Sequence, residues 1–314
     1  MTNGKKIAFI FPGQGSQYVG MGQEFLATDP GAGALIDQAE KISGMPIRKL
    51  CLEGPMEELT RTACLQPAMT VMNLISWQSL QKAGVSADYM VGHSLGEYAA
   101  LCASGILSVE DTLALVTERG RLMEREAAKN PGGMHAILGL VMAEVQEIIS
   151  GLSGGGKITA ANHNSEKQIV ISGEQSALEA AAAVVTEKGG KSIPLKVSGA
   201  WHSELVKDAV PDFTEAMAKV SFNRPLVPVL FNVTAAVETD PAEIRRIMAR
   251  QIASTVRWFE IINFLIEQKV DTFIEVGPKT VLTGLMKKIV PKGYEYNAFQ
   301  VDSPATLEKC LENI

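Results

Sequence analysis

Three short apolar runs in this chain stop at glycine-bearing turns, and that pattern restricts the fold more than any other feature of the sequence. The first, in KKIAFIFPGQGSQ, ends at Pro12 and Gly13; the second ends at Val91, just before GHSLGEYAALCA; the third, DTFIEVGP, leads into TVLTGLMKKI. Short apolar runs bounded by turn residues read as strands buried on both faces. After Val91 the spacing becomes helical, with Ala99, Ala100, Cys102 and Ala103 small enough to lie close against a sheet. Repeated strand-to-helix units imply α/β architecture, a parallel sheet covered by helices. With 314 residues, 46% of them hydrophobic, the chain is long and apolar enough to bury such a core.

The middle of the chain follows another rhythm. After the turn NPGG the pattern predicts a strand over Met134 to Leu140, a helix over Ala143 to Ile149 and a strand over Ile158 to Ala161. A turn at NHNSEK, a strand over Gln168 to Ser172, an alanine-rich helix reaching Gly189 and a strand over Lys191 to Val197 complete it. This βαββαβ order is that of a ferredoxin-like unit. We therefore expect a small subdomain over 131–197 inserted in a core formed by 1–130 and 198–314. SGGGK reads as a loop within it.

A net charge of -6 argues against a nucleic-acid partner, which needs a basic face. The run IAFIF is too short to span a membrane and the start of the chain lacks the pattern of a signal peptide, so no membrane partner and a cytoplasmic location are expected. The four cysteines, Cys51, Cys64, Cys102 and Cys310, lie far apart, which predicts reduced thiols rather than a disulfide framework or a zinc site.

Gly92, Ser94 and Gly96 have the G-x-S-x-G spacing of a nucleophile elbow, in the strand-turn-helix context the elbow requires. A helix starting beside the serine leaves the Leu95 N–H free and favours negative charge there, which is half of an oxyanion hole. A serine hydroxyl needs a base, and four histidines are available. His93 is adjacent in sequence and points to the opposite face. His163 falls in the NHNSEK turn, where an exposed polar role is expected, and His135 in a strand, where a structural one is. His202, in VSGAWHSEL, follows the strand that returns the chain to the core and is the best candidate. In SVEDTLALVTERGRLM, Ser108 and Asp111 resemble a helix cap and Val109, Leu113, Val116, Gly120 and Met123 form an apolar stripe. Arg119 lies about eighty degrees from the centre of that stripe, aimed at partly covered space. Beside an active serine its planar fork suits a substrate carboxylate.

Taken together, FPGQGSQ, QPA, GHSLGEYAAL, ERGRLM, VSGAWHSEL, QIASTVRW and EVGPKTVLTGL resemble, in order and over nearly the whole chain, the malonyl-CoA:acyl carrier protein transacylases of bacterial fatty acid synthesis. The resemblance implies a hydrolase-like α/β core with a ferredoxin-like insertion. It further implies Ser94 as the acyl carrier, His202 as its base and Arg119 as holder of the malonyl carboxylate. The N–H groups of Gln14 and Leu95 would form the oxyanion hole, and the carbonyl of Gln251 would orient the histidine in place of a carboxylate. Malonyl-CoA and acyl carrier protein are the implied partners, with no metal or bound cofactor, and a monomer is expected. A discrete acyltransferase of a polyketide synthase would share these motifs; a serine esterase would share only the elbow.

Two residues depart from the family pattern. Trp201 stands where phenylalanine is common and borders the acyl pocket, leaving less room for branched acyl groups; Thr255 replaces a common proline. Because acyl carrier proteins are acidic, a local basic surface is needed. Lys279, Lys287, Lys288 and Lys292, or Arg245, Arg246 and Arg250, are the candidates.

Overall fold

The computed structural model describes residues 5–152 and 154–314. Residues 1–4, at the start of the segment read for a leader, and Ser153, in the SGGGK loop, lie outside them. Two sheets organise the chain. The first is wholly parallel, with strands β1 (Ile7–Phe11), β2 (Tyr89–Gly92), β7 (Val229–Leu230), β8 (Thr272–Val276) and β9 (Asn297–Val301) in the order β7-β2-β1-β8-β9. Side chains along β1 alternate between two cores. Ile7, Phe9 and Phe11 join the larger cluster, while Ala8 and Ile10 join one built with Val91, Trp258 and Phe273 on the opposite face. Helices cover both faces, which is why β1 reads as an unbroken apolar run.

The second sheet is antiparallel, with β3 (Gly133–Leu138), β4 (Ile158–Ser165), β5 (Gln168–Gly173) and β6 (Lys191–Pro194) in the order β4-β5-β3-β6. Its helices, Met142–Gly151 and Gln175–Glu187, bury Val145, Ile148, Leu178, Ala181 and Val185 against Ile137, Ile169 and Ile171. Met134, Ala136 and Val170 point the other way and join the larger core, so this sheet lends one face to the parallel sheet's side of the molecule.

Two local expectations need correction. β4 runs on to Ser165 through most of the predicted NHNSEK turn, and His163 is buried rather than exposed, with Nδ1 3.1 Å from Glu260 Oε1 and its ring against Phe259. The Asn162 and His163 backbone meets Val256, which holds this strand against the segment after Gln251. β6 ends at Pro194, before the predicted Val197, although Leu195 N still donates to Met134 O at 2.9 Å just beyond it.

Candidate active site

The first element of the site is the turn between β2 and the helix Gly96–Ala103. Ser94 has φ 52, a left-handed conformation that costs a non-glycine residue energy and must be held by its surroundings. The flanking glycines make the turn possible. A Cβ on Gly92 would strike the Gly96–Glu97 backbone, and one on Gly96 would strike the Phe11 carbonyl. Asn232 locks the bend, since its Oδ1 accepts from Ser94 N at 2.7 Å and its Nδ2 donates to Gly92 O at 2.7 Å.

His202 also has positive φ, 58, and its Nε2 lies 2.7 Å from Ser94 Oγ. Its Nδ1 is 3.1 Å from the carbonyl oxygen of Gln251, the last residue of the helix Pro241–Gln251. A carbonyl only accepts, so Nδ1 carries the proton and Nε2 turns its lone pair to the serine. Burial, then the nearby Arg119 charge, pull the imidazole down to about 3, which leaves it neutral in the resting site. His93 and His135 have structural partners instead, Asn164 and Ser192.

Arg119 lies on the helix Val109–Lys129, whose N-cap Ser108 accepts from Asp111 N at 3.0 Å. At 1% exposure it is more deeply covered than the wheel suggests. The cover is the helix Thr62–Lys82, brought close at Gly120, where a Cβ would meet Thr62 O at 2.9 Å. Arg119 Nη1 donates to Gln66 Oε1 at 2.9 Å, and Nη2 to Gln251 Oε1 at 3.0 Å and to Ser94 Oγ at 3.3 Å. Its Nε is buried without a partner. Burial lowers the guanidinium's pKa, opposed by Tyr98 and Glu97.

Ser94, His202, Arg119, Gln14, Leu95 and Trp201 line one cavity of about 100 Å³ with Met123, Met134, Asn162, Leu195 and Val197. That is room for a short acyl group and little more. Among the described residues neither the Gln14 nor the Leu95 N–H donates to a protein acceptor. A larger groove, about 640 Å³ between Phe25, Lys82 and Leu311, lacks a nucleophile-base pair and is not the site. Two members of the site escaped sequence reasoning. Glu97 is fully buried, with Oε1 accepting from Asn232 N and Oε2 from Gln251 Nε2, each at 2.8 Å. Burial lifts its carboxyl to about 7, against the pull of those donors and of Arg119. Its place in the GHSLGEY motif was the available signal; Asn232 had none. Among the described residues no group of three or more His, Cys, Asp or Glu side chains is arranged for a metal ion, and no helix is long and apolar enough to cross a membrane.

The model of the acyl transferase domain matches residues 8–301. The chain belongs to the acyl transferase family. It is similar to the malonyl CoA-acyl carrier protein transacylase of Bacillus subtilis, 39% identical over 98% of this chain and 97% of that one. It is also 43% identical, over 91% of its length, to 24% of the polyketide biosynthesis protein ThaF of Burkholderia thailandensis. Among solved structures it resembles the malonyl-transacylase in complex with AntF, a type II polyketide acyl carrier protein. That match has TM-score 0.94 and 34% identity, and covers 99% of this chain and 100% of that one. The chain is thus a mixed α/β structure with one parallel and one antiparallel sheet, and its fold is similar to that of this transacylase.

Proposed function

We propose that this acyltransferase moves the malonyl group of malonyl-CoA to the phosphopantetheine thiol of holo acyl carrier protein by way of a malonyl-Ser94 ester. The observation that carries this reading is the guanidinium of Arg119 inside the same small cavity as the Ser94–His202 pair, 3.3 Å from Ser94 Oγ. Arg119 Nε has no partner and the Nη2 contact to the serine is long. A carboxylate can take two parallel hydrogen bonds from that edge once the packing over the buried Nε shifts.

Ser94 Oγ attacks the thioester carbonyl carbon as its proton passes to His202 Nε2. The Leu95 and Gln14 N–H groups hold the oxyanion. Its collapse breaks the C–S bond, and the CoA sulfur leaves with the proton returned from the imidazolium. Carrier thiol then attacks the ester by the same steps in reverse, giving its proton to His202 and receiving the acyl group as Ser94 Oγ is reprotonated. None of these steps calls on a bound cofactor.

A polyketide carrier is the second reading, favoured by the likeness to ThaF and to the AntF-bound transacylase. For either carrier the lysines and arginines offer the acidic partner a basic surface. Lys279, Lys287, Lys288 and Lys292 are exposed, Arg246 and Arg250 are exposed as well, and of the arginines only Arg245 packs over Phe222. Incubation with malonyl-CoA, followed by intact-mass measurement and peptide mapping, should find one malonyl group on Ser94. No adduct, or one mapped elsewhere, refutes the reading. Competition between fatty acid and polyketide carrier proteins for the loaded enzyme separates the two carriers.

A further inference from the structure

A buried guanidinium poses an electrostatic problem. It needs compensating negative charge, yet a carboxylate in direct contact would occupy the fork that a substrate is to use. The hydrogen-bond partners of Arg119 among the described residues are all neutral: Gln66, Gln251 and Ser94. The carboxylate of the network is that of Glu97, and it reaches Arg119 through Gln251. Gln251 Nε2 donates to Glu97 Oε2 at 2.8 Å while Gln251 Oε1 accepts from Arg119 at 3.0 Å. The amide cannot turn round, because Nε2 also donates to Ser94 O at 2.8 Å. Both oxygens of Glu97 face N–H donors, an arrangement the ionised form satisfies completely.

We propose that Glu97 and the Gln251 side chain are specificity-determining positioning residues: Glu97 balances the charge of Arg119 at one residue's remove, and the neutral amide between them keeps the guanidinium available to the carboxylate of the incoming acyl group. This rests on the acyl-transfer reading of Ser94, His202 and Arg119. It gives Gln251 two separate duties, its carbonyl holding His202 and its side chain spacing the two charges.

The test transposes the carboxylate. The double variant Glu97→Gln, Gln251→Glu keeps the net charge and the residue-251 carbonyl but puts the negative group in contact with Arg119. The single variant Gln251→Glu acts in the same direction, since two touching carboxyls share a proton and the ionised one sits on the arginine. Loading of Ser94 is followed at about pH 8, above the value to which burial lifts Glu97. Malonyl loading should fall at least about tenfold relative to acetyl loading, as a rise in KM for malonyl-CoA, because a paired guanidinium must first be freed. Melting temperature identifies which variant is folded, and either one suffices. A malonyl-to-acetyl ratio within about twofold of wild type in a folded variant overturns the spacer. Wild-type protein that loads no malonyl would instead overturn the acyl-transfer reading.

Discussion

Replacing Arg119 by alanine removes a group that hydrogen-bonds three others and lies over the Tyr98 ring, and the structure separates what each contact is worth. Two charge-assisted hydrogen bonds to a malonyl carboxylate, at roughly 1.5 to 3 kcal/mol each, amount to about 3 to 6 kcal/mol in this covered cavity. That is about two to four decades of loading rate. An acetyl group makes no use of the fork. Its loading loses the Ser94 contact, long at 3.3 Å, while loss of the charge beside His202 raises the basicity of that imidazole, so a net change of under about tenfold is expected. The substitution also strips a donor from Gln66 and from Gln251, so some stability is lost, at roughly 1 to 3 kcal/mol for each acceptor that water does not reach. Single-turnover loading of Ser94 from malonyl-CoA and from acetyl-CoA, read by intact mass beside the melting temperature, isolates the first effect. Arg119→Lys keeps the charge without the fork and should fall between. Equal factors of loss for the two acyl groups would show that the arginine supports the site without reading the carboxylate.

Other consequences follow from the same geometry. His202 has a folded pKa of about 3 against 6.5 for a free histidine, so the unfolded chain binds more protons between those values and stability falls as pH drops through that window. His202→Gln should flatten the acid side of a melting-temperature profile, and an unchanged slope would assign acid lability to other groups. Gly96→Ala forces a methyl onto the Phe11 carbonyl and should cost at least about 1 to 3 kcal/mol in urea unfolding, with loss of Ser94 acylation. Wild-type stability in that variant would mean that the elbow has slack the structure does not show. Trp201→Phe enlarges the cavity and should raise methylmalonyl loading relative to malonyl by about tenfold, the usual worth of a methylene-sized fit. An unchanged ratio would place the steric limit at Met123 or Met134.

What could be read along the chain, and what could not, divides by the range of the interactions. β1, β2 and β8 announce themselves because strands covered on both faces are mostly apolar, with Thr272 and Glu275 of β8 as buried polar exceptions. β7 is two residues long, and β9, at the edge of the sheet with Asn297 and Ala298 exposed, carries no such pattern. The polar letters of NHNSEK suggested a turn because the residues that bury His163, Phe259 and Glu260, come from a helix almost a hundred positions away. The elbow itself is legible because its G-x-S-x-G spacing is local and Gly92 answers to the Gly96–Glu97 backbone, whereas the Phe11 carbonyl that excludes a side chain at Gly96 comes from distant β1.

The electrostatics of the site were legible only in part. Arg119 could be placed on its helix, yet its full burial depends on how closely Gly120 lets the helix Thr62–Lys82 approach. Gln251 came to notice through family resemblance for its carbonyl, whereas its side-chain amide works between Glu97 and Arg119. The neutrality of His202 depends on Arg119 as well as on burial. A substrate carboxylate that neutralises the arginine therefore raises the basicity of the imidazole facing Ser94. In the proposed reading, binding of a carboxylate-bearing acyl group is thus coupled to activation of Ser94 through one charge, although the residues concerned lie on segments that share no local sequence signal.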